Sequence, residues 1–190
     1  MKKLLLVLLP SLLMVGCNQT SKVYIEDDLN FNENTRTYSV KFSDEIPNGD
    51  FFQVFGDKKV FRGKIKNGKK NGLWTSWYQN GQKKEEGTYK DGEFDGLWTS
   101  WYVSGNKKSK GRYKGGMMND LWTFYHENGN KKSEGSYLNG NGQELFGIVP
   151  RNGSDGKWVY WYENGQKEEE GNYKDGKRDG YWRGWYENGK

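Results

Sequence analysis

Thiol and imidazole chemistry rest on one residue each in this 190-residue chain, Cys17 and His126. A zinc site needs about four such donors in a tetrahedron, so neither a metal nor another cofactor is expected. His126 stands in a slot that Tyr78, Tyr102, Tyr162 and Tyr186 fill elsewhere, which makes it an aromatic replacement rather than a general base. The sequence carries no Ser-His-Asp set, P-loop or dinucleotide fingerprint. Glu168, Glu169 and Glu170 could suggest the carboxylate pair of a glycosidase, yet they recur where Glu85 and Glu86 sit in a mixed Lys/Glu segment. A solvated strand face accounts for both, and no enzymatic activity is expected. Lys83-Lys84, Lys107-Lys108 and Lys131-Lys132 return at one point of successive repeats. On neighbouring units of a sheet they would lie about 10 Å apart, two strand spacings, near the Debye length at moderate salt. Such a ladder attracts acidic polymers weakly, and the nearby Glu85, Glu86 and Glu134 partly cancel it.

The elements that carry these residues are repeats. Gly72-Leu73-Trp74-Thr75-Ser76-Trp77-Tyr78-Gln79-Asn80-Gly81 returns twenty-four residues later as Gly96 to Gly105, then as Asp120 to Gly129. After a twelve-residue insertion it resumes at Gly156 to Gly165 and at Gly180 to Gly189. The other half of each unit reads Gly-x-Tyr-x-x-Gly: Gly87 and Tyr89, Gly111 and Tyr113, Gly135 and Tyr137, Gly171 and Tyr173. Residues 48 to 60 form a degenerate opening copy, as an end cap would.

Trp-Thr-Ser-Trp-Tyr is short, aromatic and strand-favouring. The Asn-Gly pairs at 80–81, 128–129, 164–165 and 188–189 are strong hairpin signals for type I′ turns. Each unit is therefore two strands and two turns, and the glycines leave no window for an amphipathic helix. Trp74 and Trp77, three apart, face opposite sides of a regular strand; the same holds for Trp98 and Trp101, Trp158 and Trp161, and Trp182 and Trp185. A two-residue loop at Asn80-Gly81 pairs Trp74 with Gly87, so that its indole would lie across bare backbone. By analogy Trp122, Gly111 and Gly171 are framework residues too. With nine Trp, thirteen Tyr and nine Phe, rings rather than aliphatic side chains make the core, each burying roughly 150 to 250 Å².

The run Gly87-Thr88-Tyr89-Lys90-Asp91-Gly92-Glu93-Phe94-Asp95-Gly96-Leu97-Trp98 resembles the MORN repeat, and more closely its bacterial variant found in antitoxin-like proteins of the YwqK type. The resemblance covers about residues 56 to 190. It implies an all-β, elongated, single-layer antiparallel β-meander or solenoid of 24-residue hairpin repeats, and a role in binding proteins or phosphoinositides. Paired Trp and Tyr on hairpins also resemble choline-binding repeats, which makes a carbohydrate or cell-wall ligand the alternative to a protein partner.

The chain opens MKKLLLVLLPSLLMVGC. Lys2 and Lys3 followed by the apolar stretch Leu4 to Val15 read as an export signal, too short to span a bilayer core of about 30 Å comfortably. Its end, Leu13-Met14-Val15-Gly16-Cys17, resembles the lipobox of bacterial lipoproteins, with Met14 where Leu is commonest. This resemblance implies cleavage after residue 16, acylation of Cys17 and a membrane anchor at the bacterial cell envelope. Asn18 after the cysteine favours the outer over the inner membrane. Without Lys2 and Lys3, 28 basic residues face 25 acidic ones, a net charge of +3, too weak an excess to predict nucleic-acid binding.

The expected layout is a signal peptide over 1–16, a lipid-anchored tether and lead-in segment over 17–46, with one strand in 35–42, and a repeat domain over 47–190. An insertion at about 138–155 interrupts the repeats, and long loops on solenoids often hold the specific contact. Leu145, Phe146, Ile148 and Arg151 are its candidate binding residues, beside Val149 and Pro150. At the other end the sequence stops directly after the Asn188-Gly189 turn signal. The strand around Trp182 to Tyr186 is thus expected at a sheet edge, which opens a route to self-association.

Overall fold

The computed structural model describes residues 21–141 and 152–190. Fourteen strands follow in chain order: β1 (Lys22–Ile25), β2 (Leu29–Asn32), β3 (Thr37–Val40), β4 (Gly49–Phe55), β5 (Lys58–Lys66), β6 (Lys69–Trp77), β7 (Lys83–Lys90), β8 (Glu93–Trp101), β9 (Lys107–Lys114), β10 (Met117–Tyr125), β11 (Lys131–Gly140), β12 (Ser154–Trp161), β13 (Lys167–Lys174) and β14 (Lys177–Gly184). From β4 to β14 each strand pairs antiparallel with the next, and β1 adds itself parallel to β4. The result is one open twelve-stranded sheet, the meander that the repeats predict. The lead-in segment is folded from β1 onward: a 3₁₀ turn at Glu26–Asp28 leads into the separate hairpin β2–β3.

Two kinds of turn alternate. Asn67-Gly68, Asp91-Gly92, Gly115-Gly116 and Asp175-Gly176 have positive φ at both central residues, the mark of type I′. At the Asn80-Gly81 turn only the glycine has positive φ. There the Gly81 N–H donates to Tyr78 O and the Tyr78 N–H to Gln82 O, which is a three-residue loop ending in a left-handed glycine. The expected type I′ turn is therefore at the other end of the unit. Asn80 serves instead through its side chain, whose Oδ1 accepts the Gln82 N–H.

The pairing Trp74↔Gly87 nevertheless holds. The longer loop shifts the register by one, setting Trp77 against Lys83, and a bulge at Lys84 shifts it back so that Ser76 meets Glu85. The same pair of shifts recurs at Ser100/Trp101, Phe124/Tyr125 and Tyr160/Trp161. A second irregularity precedes the next Trp, between Gly87 and Tyr89 on β7 and their partners on β8. Bulges bend a strand and sharpen its twist.

That inner face is the core. Trp74, Trp98, Trp122 and Trp158 are buried, Trp158 completely. Tyr89, Tyr113, Tyr137 and Tyr173 each stand edge-on between two successive Trp rings, with centroids 5.0 to 6.4 Å apart. Such pairs contribute about 0.5–1.5 kcal/mol each beyond their buried area. The hairpin β2–β3 covers the first stretch of this row, with Tyr38 stacked on Trp74 at 6.4 Å and Leu29 buried beside it.

Candidate binding surface

The inner-face Trp residues are consumed by packing. Opposite each lies a glycine that a side chain could not replace: a Cβ on Gly63 would meet Trp74, one on Gly87 Trp98, on Gly111 Trp122, on Gly135 Trp158, and on Gly171 Trp182. The ring over Gly87 thus comes from Trp98, on the strand after it, and not from Trp74, which rests on Gly63. Both Trp flank Gly87 in register, so sequence counting finds the pair but not which ring leans over. Nε1 of Trp74, Trp122, Trp158 and Trp182 donates to the carbonyl of the residue after its glycine, at 3.0 to 3.1 Å. Trp98 is turned so that Cε3 and Cζ3 face Gly87.

The outer face carries a second, half-buried row: Trp77, Trp101, Tyr125, Trp161 and Trp185. Lysines interleave with it, Lys83 Nζ lying 5.6 Å from the Trp101 centroid, Lys131 5.5 Å from Trp161 and Lys167 5.3 Å from Trp185. These lysines also bridge to Glu86, Glu134 and Glu170 three residues on. The contact with Lys167 holds the Glu170 carboxyl below its ordinary range. Two lysines of the expected basic ladder, Lys83 and Lys131, are thereby paired. Along the same face Leu73, Leu97 and Leu121 are more than half exposed, one per repeat, each directly before an inner-face Trp.

The acidic cluster is split by the strand alternation. Glu169 pairs with Arg178 and Glu170 with Lys157 and Lys167. His126 keeps the role of the tyrosine it replaces. Its Nε2 lies 2.8 Å from Trp161 O, as Tyr78, Tyr102 and Tyr162 hydroxyls bond Trp101, Tyr125 and Trp185 carbonyls. Among the described residues no three His, Cys, Asp or Glu gather as a metal site would require. Cys17 and the insertion residues Leu145, Phe146, Ile148 and Arg151 lie outside the described residues.

Two features of the inner face escape the repeat pattern. Ser76 and Ser100 occupy the slot that Phe124 and Tyr160 fill with rings, which leaves a notch of about 190 Å³ beside Glu85, Ser100 and Ser109. Lys70 occupies the slot of Phe94 and Met118, with its ammonium 4.8 Å from the Trp74 centroid and 4.9 Å from that of Tyr89. Burial lowers its pKa to about 8 and raises those of Tyr38 and Tyr113 to about 12. Lys70 was detectable in the sequence, since it stands four residues before Trp74 and so on the same face.

An open sheet whose units differ by one strand pair, with a shared aromatic core on one side and a repeated surface on the other, defines a repeat scaffold. The repeats are of the MORN variant: residues 70–91, 121–139 and 154–175 match that family. The chain is a MORN-variant repeat protein, and no curated protein matches it significantly.

Proposed function

We propose that this protein is a non-enzymatic binding scaffold, held at the bacterial envelope by a lipid on Cys17, whose outer face receives a protein partner. The observation that carries the reading is the row Leu73, Leu97 and Leu121, apolar side chains left more than half exposed at the same point of three successive repeats. Beside the half-buried aromatic row they form an apolar stripe rimmed by charge. Aromatic residues in a desolvated centre with a polar rim are the usual anatomy of a protein interface. Among the described residues the inner face has no comparable free stripe, because its rings are packed against one another.

The test is capture from envelope fractions by the lipid-anchored protein, compared with a Leu97→Glu/Leu121→Glu variant. The expected result is a defined partner that the variant loses at unchanged melting temperature; equal capture by both removes the outer face from the reading. Fatty-acid labelling, with Cys17→Ser as control, tests the anchor separately. An unlabelled wild type removes the anchor but not the scaffold.

A second reading, a glycan ligand, is favoured by the half-exposed Trp77, Trp101, Trp161 and Trp185, whose rings recur at intervals along one face. Quenching of tryptophan fluorescence by cell-wall glycan, lost in a Trp101→Ala variant, would select it over the protein partner.

A further inference from the structure

The hairpin β2–β3 does not close tightly on the sheet. Its loop reaches the β7–β8 turn, where Arg36 pairs with Glu93 and the Arg36 carbonyl comes within 3.4 Å of the position a Gly92 Cβ would take. Between hairpin and sheet this leaves a pocket of about 310 Å³. Phe31, Tyr89 and Phe94 wall it, Glu33 and Arg36 stand at the rim, and Lys70 contributes its side chain from the sheet.

Lys70 is the residue that needs an explanation. The equivalent slot takes Phe94 and Met118 in the next two repeats, so an apolar side chain fits there. A partly desolvated ammonium is costly unless paired. Among the described residues no carboxylate lies within ion-pair distance of Lys70; Glu85 acts on it only at longer range, opposed by Arg62. Its neighbours are the faces of Trp74 and Tyr89, which attract a cation but accept no conventional hydrogen bond. The ammonium donors are thus open towards the pocket. The other cation at the rim, Arg36, is already matched by Glu93.

We infer that this pocket binds a small anion with an apolar body, a carboxylate or phosphate ester about the size of one aromatic ring, its charge on Lys70 and its body between Phe31 and Phe94. A charge-assisted hydrogen bond in a poorly solvated pocket is stronger than one at the surface. The flanking rings of Phe31 and Phe94 give it apolar walls. The site lies on the inner side of the sheet and does not depend on the outer-face reading.

The experiment is calorimetric titration of the exported chain, residues 17–190, with phenylacetate and with phenyl phosphate, using neutral phenylacetamide as control. At least one acid is expected to bind, and the amide to bind at least about tenfold more weakly, a difference of about 1.4 kcal/mol. Whichever acid binds more tightly names the head group. Lys70→Met, which installs the side chain found at Met118, is expected to weaken binding by a similar factor at a melting temperature no lower than that of the unaltered protein. Phe31→Ala, on the hairpin and outside the sheet, is expected to weaken it as well. Binding at pH 8 should also take up protons, because a bound anion favours the charged form of an amine whose pKa burial lowers to about 8. Equal binding of acid and amide, undiminished binding by Lys70→Met, or no binding of either acid at millimolar concentration would overturn the proposal.

Discussion

The indole of Trp98 lies against the bare Cα of Gly87, its partner across the β7–β8 ladder, leaving no room for a Cβ between them. Four further Trp–Gly pairs repeat this arrangement. Gly111, beneath the fully buried Trp122, is the clearest place to test it. Gly111→Ala should cost about 1–3 kcal/mol, the usual penalty for overpacking a filled core. The measurement is the urea midpoint, and an unchanged midpoint would remove the steric account of the repeated glycine.

Asp120 has φ +59° in the slot that Gly72, Gly96, Gly156 and Gly180 fill with positive φ. A left-handed conformation costs a residue with a Cβ roughly 1–2 kcal/mol, less for Asp than for most. Asp120→Gly is expected to be neutral or stabilising by up to about 1 kcal/mol, despite losing an exposed contact with Arg112 at 3.9 Å, worth little in water. A loss of stability would mean that this contact outweighs the backbone strain.

His126 and the tyrosines in its slot tie each turn to the following one. His126→Tyr should fold with unchanged stability, because Tyr102 and Tyr162 make the equivalent bond to a carbonyl. His126→Ala should lose about 0.5–1.5 kcal/mol, the net value of one hydrogen bond, plus the packing of the ring. Thermal melts of the two variants check this, and equal losses would contradict it.

Stability should depend on pH with an alkaline maximum. The folded pKa of Lys70 is lowered to about 8 from 10.5, so between those values the unfolded chain binds the extra proton and stability rises with pH. Tyr38 and Tyr113, raised to about 12 from 10, act in the opposite sense: above pH 10 the unfolded chain gives up protons first and stability falls. Lys70→Met should flatten the rise below pH 10 and leave the fall above it. Denaturant midpoints taken from pH 7 to 11 decide the matter, and a rise that survives in Lys70→Met would assign it to another group.

The repeats made the single β-sheet legible, along with the opposite placement of Trp74 and Trp77 and the Trp74–Gly87 pairing. The turn types were not legible, because two one-residue shifts, the loop ending at Gly81 and the bulge at Lys84, cancel in the count. The hairpin β2–β3 went unseen as a unit. Leu29–Asn32 is a four-residue strand whose partner and cover are supplied by tertiary contacts, which no local pattern announces. The outer face was half legible. Lysine repetition was visible, but its pairing with Glu86, Glu134 and Glu170 depends on three-residue spacings along a bulged strand.

The tiling of each indole onto the glycine of the preceding strand gives the array a direction, as overlapping shingles give one to a roof. Trp122 rests on Gly111 and donates to the Arg112 carbonyl. The tyrosine bonds run the other way along the chain, from Tyr78 to Trp101 and from Tyr102 to Tyr125. A lesion in one unit therefore loosens the units on both sides of it. Unzipping under force or denaturant should begin at the β14 edge, where Trp182 is only half-buried, rather than at the end where the hairpin covers Trp74.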